Sequence, residues 1–246
     1  MKYQQSSFRW GREHFAENDP LWLEIHESID LITRATVIAE KRRNFQEWRE
    51  GGIKAPAVGG QKILNLLIEK NLKSRNWETQ VSVFESQLME TLEGITSNRK
   101  EAYWSIDFKK DLIGIEVSFN NAGALSQNLL RLSVLSESSS KAIRLGVLIT
   151  SCDSLKKWSC MDNTVLTFES VKRVFPLMNF NIPTPIVVLG LENHDDLGST
   201  WEESPLFPSK EFLKSEFGIE KILPYAKISS AEKSYWDNVI ESSDLD

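Results

Sequence analysis

Cysteine and histidine are scarce in this sequence. It has 246 residues, of which two are cysteine and three are histidine. Cys152 and Cys160 are too few for the disulfide framework of a small secreted protein, and no metal-ligand spacing accompanies them. The histidines are far apart in the chain and form no zinc motif. Disulfide-rich proteins and zinc hydrolases are therefore not the leading interpretations.

Long apolar runs and nucleotide-binding motifs are also absent. No run reaches the about 18 apolar residues that cross a membrane, and the N-terminus is polar. We therefore expect a cytoplasmic protein without membrane association. The sequence has neither a glycine-rich phosphate-binding loop nor a Gly-x-Ser-x-Gly turn for a nucleophilic serine. These absences argue against dehydrogenases, kinases and serine hydrolases.

The composition that remains is that of an ordinary folded protein. Hydrophobic residues make up 41% of the chain and charged residues 26%, which is enough to bury a sizeable core. The formal net charge of −6 counts against a simple nucleic-acid-binding protein. Phosphate contacts need only local positive charge, however, so DNA remains a possible partner. At this length we predict a single domain spanning 1–246.

The N-terminal part of the chain has the pattern of helices. Asp19 before Pro20 is a typical helix start, and an apolar stripe of helical period predicts one long helix over 19–49. A second helix is predicted from about residue 61 to residue 75. We expect its polar residues, among them Asn65 and Glu69, to form a solvated face.

Later in the chain, the order of strands and helices predicts an α/β fold. Ile143–Ile149 and Pro185–Leu191 are near-continuous apolar runs, as in central strands covered on both faces, and Thr164–Leu177 between them has a helical pattern. A strand, a helix and a strand in this order give two parallel strands. From residue 192 the sequence becomes polar, so we assign 192–246 to a C-terminal extension with short helices.

The most informative stretch is Trp104–Asn121, which reads WSIDFKKDLIGIEVSFNN. Apolar and polar residues alternate with a period of two on either side of Lys109-Lys110-Asp111, which predicts two strands joined by a short loop. Glu116 and Ser118 then share one face of the second strand, and pairing can bring Asp107 to the same face.

Two carboxylates at one place in a protein require compensation. Like charges repel strongly where the dielectric constant is low, so Asp107 and Glu116 need a shared proton or a cation. Mg²⁺, a hard cation that prefers oxygen ligands, is the simplest such cation. The alternative is a half-exposed hairpin whose charged face is merely solvated, and the spacing alone leaves both open.

The residues of this hairpin resemble the signature of PD-(D/E)XK nucleases. Asp107 is followed by eight residues and then by Glu116-Val117-Ser118. More narrowly, Ile106-Asp107-Phe108 and Glu116–Asn121 are similar to the hairpin of restriction endonucleases of the BglII type, and the similarity extends over about 55–191. The resemblance implies a restriction-endonuclease-like mixed sheet, with an antiparallel hairpin and parallel strands flanked by helices, and a catalytic core over 55–191.

The resemblance also implies roles for individual residues. Asp107 and Glu116 would be catalytic and would bind the metal together with the Val117 carbonyl. Ser118 departs from the family pattern, because a lysine, glutamine or glutamate is usual there. A serine can hold a water molecule but cannot act as a charged assistant, so the expected role of Ser118 is to position the attacking water.

Residues outside the two central strands are further candidates. The resemblance implies that Asn120 and Asn121 contact DNA bases, since an asparagine amide can pair with the major-groove edge of adenine. Asn121 is equally well placed to cap the helix that follows. Glu78 and Glu101 are candidates for a third acid, with a surface position as the alternative for each.

Together these features predict a Mg²⁺-dependent type II restriction endonuclease that hydrolyses double-stranded DNA at a specific sequence. By resemblance we expect a homodimer, whose two-fold symmetry would match a palindromic site, and a methyltransferase that protects the same sequence. The alternative is a nuclease-fold module that binds DNA or protein and has lost its catalytic activity, as the departure at Ser118 suggests.

Overall fold

The structure of the protein is a computed structural model. It describes residues 1–15, 19–51, 55–56, 59–83, 104–138, 142–177, 182–193, 208–219 and 221–242. Glu101 lies outside the described residues.

The described residues contain one six-stranded mixed sheet with the strand order β1-β6-β5-β4-β3-β2. The central strands β4, β5 and β6 are parallel, whereas β1, β2 and β3 pair antiparallel with their neighbours. The α/β class and the predicted combination of a hairpin with parallel strands are therefore confirmed. The strands are β1 (Tyr3–Phe8), β2 (Glu78–Ser82), β3 (Ser105–Lys110), β4 (Ile113–Val117), β5 (Leu145–Ser151) and β6 (Ile186–Leu191).

Helices connect the parallel strands and cover both faces of the sheet. The α-helices are α1 (Pro20–Asp30), α2 (Arg34–Arg49), α3 (Gln61–Lys73), α4 (Ala124–Ser136), α5 (Asp153–Trp158), α6 (Phe168–Val174), α7 (Lys210–Phe217) and α8 (Ser230–Ser242). The chain passes through α4 between β4 and β5, and through α5 and α6 between β5 and β6. No helix in the described part of the chain is long and apolar enough to cross a membrane.

The prediction of one long helix over 19–49 is wrong, because two helices occupy this range. Asp19 caps α1 as predicted, since its Oδ1 accepts hydrogen bonds from the N–H groups of Leu21 and Trp22 at 2.9 and 3.3 Å. Thr33 and Thr36 then form a reciprocal capping box that starts α2. Such a box satisfies N–H groups that a continuous helix would pair internally, so the chain can begin a second helix without proline or glycine.

The core lies on both sides of the sheet. Successive residues of β5 point to opposite faces: Val147 packs into the cluster under α1, α2 and α3, and Leu148 packs into the cluster under α4 and α6. Both residues are fully buried, as expected for a central strand.

The described part of the C-terminal extension contributes to the larger of these clusters. Trp236 of α8 is fully buried, and its ring centroid is 5.0 Å from that of Phe45 in α2. The indole N–H of Trp48 donates to the Leu223 carbonyl at 3.0 Å. These contacts tie α8 and the segment before it to α2. The division into a core over 55–191 and an extension over 192–246 stays a prediction.

Candidate active site

The hairpin β3–β4 brings the two predicted carboxylates together. Its ladder pairs Lys110 with Ile113 and Phe108 with Ile115. One further step in the same register sets Asp107 opposite Glu116, and directly opposed residues of antiparallel strands share a face. Asp111 and Leu112 form the turn. The prediction of a loop over Lys109-Lys110-Asp111 is wrong for the two lysines, because both belong to β3.

Asp107 is fixed at the end of the hairpin by hydrogen bonds from the backbone and from side chains. Its Oδ2 accepts from the N–H of Val117 at 2.8 Å, and its Oδ1 accepts from the Gln80 amide at 3.3 Å. Burial raises the pKa of Asp107, and the hydrogen bonds from Val117, Glu116 and Gln80 oppose that rise. Gln80 adopts a left-handed backbone conformation with φ of 52°, which is uncommon for a residue other than glycine.

Glu116 is more deeply buried than Asp107 and has a charged partner. Its side chain is 2% exposed, and its Oε1 accepts from Nη1 of Arg131 in α4 at 3.1 Å. Burial, and then the charge of Asp107, raise the pKa of Glu116 to about 9, and Arg131 opposes this shift. Near neutral pH, in the absence of a cation, the two neighbouring carboxyl groups therefore hold a proton.

Both carboxylates line one cavity of about 320 Å³. Its walls come from α3, β2, the hairpin and the start of α4. The lining includes Asn65 and Glu69 of α3, which we had expected to form only a solvated face. They are four residues apart and therefore neighbours on one side of the helix, but the sequence does not tell which part of the molecule that side faces.

Two further residues of this cavity were not candidates from the sequence. Asn128 and Arg131 belong to α4, the helix after the strand of Glu116. The Asn128 Oδ1 accepts a hydrogen bond from Arg131 Nη1 at 3.3 Å. They are three residues apart and therefore lie on one side of the helix, and this spacing is the signal that the sequence offers for them.

Ser118 is not among the residues that line the cavity. Its side chain is fully buried, and its hydroxyl has no hydrogen-bond partner in the described part of the chain. Its backbone continues the sheet, because the Ser118 N–H donates to the Ile149 carbonyl at 2.7 Å, and its carbonyl accepts from the Thr150 hydroxyl at 3.0 Å. The structure thus does not bring this hydroxyl to the two carboxylates.

Glu78, the candidate third acid, also lies outside the lining. It is exposed on β2 and is paired in register with Lys109. Glu69 is the acid that lines the cavity in addition to Asp107 and Glu116, and it forms an ion pair with Lys73.

The two asparagines after β4 lie at the surface. Asn120 is exposed and lines the cavity, and Asn121 is exposed beside it. The interpretation of Asn121 as the N-cap of α4 is wrong, because Gly123 occupies the N-cap position. Asn121 forms instead an isolated β-bridge with Val165, which links the segment before α4 to the loop between α5 and α6.

The donor set of the cavity fits a hard divalent cation. It offers the carboxylates of Asp107, Glu116 and Glu69 and the side-chain amide oxygen of Asn65. Within the described ranges, however, no three Asp, Glu, His or Cys side chains are grouped closely enough to hold a metal by themselves. Mg²⁺ usually takes only one or two protein carboxylates and completes its shell with water and phosphate oxygens, so the residues present suit it.

The sequence matches the model of a known family, restriction endonuclease BglII/BglIII, over residues 3–191. The chain belongs to this family, and it is thereby a restriction endonuclease of type II, the class of site-specific deoxyribonucleases. The match starts at β1, well before the hairpin that suggested the resemblance.

One solved structure agrees with the assignment at the level of the fold. Restriction endonuclease BglII in complex with a DNA 16-mer superposes with a TM-score of 0.53 at 18% identity, over 79% of each chain. Free BglII gives a TM-score of 0.46 at 18% identity, over 79% of this chain and 81% of that one. No curated protein sequence matches the chain significantly.

Proposed function

We propose that the protein is a Mg²⁺-dependent endonuclease that hydrolyses phosphodiester bonds of double-stranded DNA at a specific sequence. The observation that carries this proposal is the pair Asp107 and Glu116, opposed across a hairpin and lining an open cavity in a chain of a restriction endonuclease family. In the proposal these two carboxylates bind the cation. The Val117 carbonyl is a further ligand, since the N–H of the same residue already points at Asp107.

The other groups of the cavity hold these ligands in place. Gln80 and the Val117 N–H fix the Asp107 carboxylate, and Arg131 fixes that of Glu116. When bound, the cation would polarise the scissile phosphate and lower the pKa of a bound water. Asn65 and Glu69 supply additional oxygens at the wall formed by α3. Ser118 was expected to hold the attacking water, and that role now depends on a rearrangement of its buried hydroxyl.

DNA is the proposed partner on the open side of the cavity. Asn120 lines the cavity and Asn121 follows it in the chain. Both are exposed, and their amides can donate to and accept from base edges. A related enzyme was solved with a DNA 16-mer, which supports DNA as the substrate. We propose that two copies of the chain form a two-fold symmetric dimer on a palindromic site, and that a cognate methyltransferase protects this site in the host.

A catalytically inactive DNA-binding or protein-interaction module is the second candidate. The buried position of Ser118, where the family pattern has a lysine, glutamine or glutamate, favours it. The two candidates give opposite results in one assay. Plasmid DNA of mixed sequence is incubated with the full chain in Mg²⁺ and, in parallel, in EDTA. Discrete fragments that form only with Mg²⁺ support the nuclease. Intact DNA retained by the protein under both conditions supports the inactive module.

A further inference from the structure

A positive charge is held inside the cavity, against its most buried carboxylate. Nη1 of Arg131 lies 3.1 Å from Oε1 of Glu116, and the two side chains are 17% and 2% exposed. Asn128, which is itself 3% exposed, accepts a hydrogen bond from the same nitrogen atom at 3.3 Å. The guanidinium group is therefore oriented by two side chains at a point that water reaches only partly.

This arrangement has a consequence for any divalent cation at the site. A cation bound by Glu116 would share the carboxylate with Arg131, and the two positive charges would repel each other. Ions in bulk salt solution screen a partly buried pair much less than an exposed one. The guanidinium group that favours the ionised form of Glu116 without a cation therefore opposes the cation when it arrives.

We propose that Arg131 is a positioning residue that serves as the internal counter-ion of Glu116 and thereby limits how tightly the free protein holds a divalent cation. This inference rests on the proposed function, because it requires Asp107 and Glu116 to be cation ligands. Arg131 keeps the Glu116 carboxylate oriented toward the cavity while no cation is bound. It also keeps the affinity for the cation low.

The test measures cation binding in the absence of DNA, so cleavage plays no part in it. Mn²⁺ serves as the probe, because the paramagnetic resonance signal of the free ion reports the unbound fraction, and Mg²⁺ competition follows. Arg131→Gln keeps a donor for Glu116 and removes the charge. We expect it to bind Mn²⁺ at least about tenfold more tightly than the unchanged protein, because the loss of the guanidinium charge removes its repulsion of the cation in a partly buried site.

Two matched variants separate this effect from a general change in charge. Arg131→Lys retains the charge and is expected to bind Mn²⁺ about as the unchanged protein does. Arg49→Gln removes an arginine that pairs with Asp237 and Glu241 of α8, outside the cavity, and should leave Mn²⁺ binding unchanged. Thermal unfolding gives a second readout, because a tighter site gains more stability at the same Mn²⁺ concentration. The rise in Tm on adding Mn²⁺ should therefore be larger for Arg131→Gln than for the unchanged protein. If Arg131→Gln does not fold, Arg131→Met replaces it in both measurements.

Equal or weaker Mn²⁺ binding by Arg131→Gln, or an equal gain by Arg49→Gln, would overturn the counter-ion role. Asp107→Ala tells this failure apart from a failure of the proposed function. If Asp107→Ala loses Mn²⁺ binding while Arg131→Gln leaves it unchanged, the cation site stands and only the role of Arg131 is wrong. If Asp107→Ala binds Mn²⁺ as the unchanged protein does, the cation site itself is wrong and both proposals fall.

Discussion

The raised pKa of Glu116 makes a quantitative prediction about stability. Its pKa rises from 4.5 to about 9, chiefly because the carboxyl group is buried. The folded state therefore favours the protonated form, and its contribution to stability is present below pH 4.5 and lost as the pH rises toward 9. Glu116→Gln mimics the protonated carboxyl at every pH, so in EDTA the variant should be more stable than the unchanged protein above about pH 5.

The size of this effect follows from the linkage between protonation and folding. Each pH unit above 4.5 costs the unchanged protein about 1.4 kcal/mol of unfolding free energy until the folded pKa is reached. Neutral pH lies about 2.5 units above that value, so Glu116→Gln should gain about 3 kcal/mol at pH 7 and less than about 1 kcal/mol at pH 5. Urea unfolding between pH 5 and pH 9, with EDTA present, measures the difference.

A surface acid provides the control for this experiment. Glu78→Gln removes the same charge from an exposed position on β2, and it should change the unfolding free energy by less than about 0.5 kcal/mol. A gain that does not depend on pH, or a Glu116→Gln variant less stable than the unchanged protein at pH 8, would refute the reasoning. Either result would mean that Glu116 is already ionised at low pH.

Two other substitutions test the placement of residues away from this pair. Ser118→Ala removes a buried hydroxyl without a hydrogen-bond partner among the described residues, so we expect no loss of unfolding free energy and a gain of up to about 1 kcal/mol. The rate of DNA cleavage should then stay close to that of the unchanged protein. A large fall in this rate would support the role predicted from the sequence, in which Ser118 positions the attacking water. Trp236→Ala should cost about 3–5 kcal/mol in urea unfolding, because the ring fills the core beside Phe45. A loss below about 1 kcal/mol would show that α8 is not part of the cooperative unit.

The sequence predicted the hairpin and the parallel strands because those signals are local. Alternation of apolar and polar residues sets the face of each strand residue, so the pairing of Asp107 with Glu116 follows from a short stretch of chain. The buried runs that became β5 and β6 were recognised for the same reason, although their bounds differ by a few residues.

Two local features lacked a clear sequence signal. The break between α1 and α2 depends on the hydroxyl groups of Thr33 and Thr36, while the apolar stripe continues through it. Strand β1 lies at the edge of the sheet, where it pairs with β6 and is partly exposed. Its sequence is largely polar, and it has no alternating pattern that predicts a strand. Hydrogen bonds, and not hydrophobic periodicity, determine both the break between α1 and α2 and the position of β1.

The remaining residues of the site depend on packing between distant elements. Glu69 reaches the cavity because α3 contacts β2, the strand that pairs with the hairpin, and Arg131 because α4 contacts β3 and β4. Each belongs to a polar helix stripe that a sequence alone assigns to solvent. Which stripe faces the carboxylates is determined only when the helices dock on the sheet.

The most direct test of the central claim compares the cleavage of plasmid DNA by two alanine variants in Mg²⁺. Asp107→Ala removes a carboxylate of the cavity, and Glu78→Ala removes an exposed carboxylate of the neighbouring strand. We predict that Asp107→Ala abolishes cleavage while it still binds DNA, and that Glu78→Ala cuts as the unchanged protein does. Cleavage by Asp107→Ala at the rate of the unchanged protein would contradict the assignment of the active site.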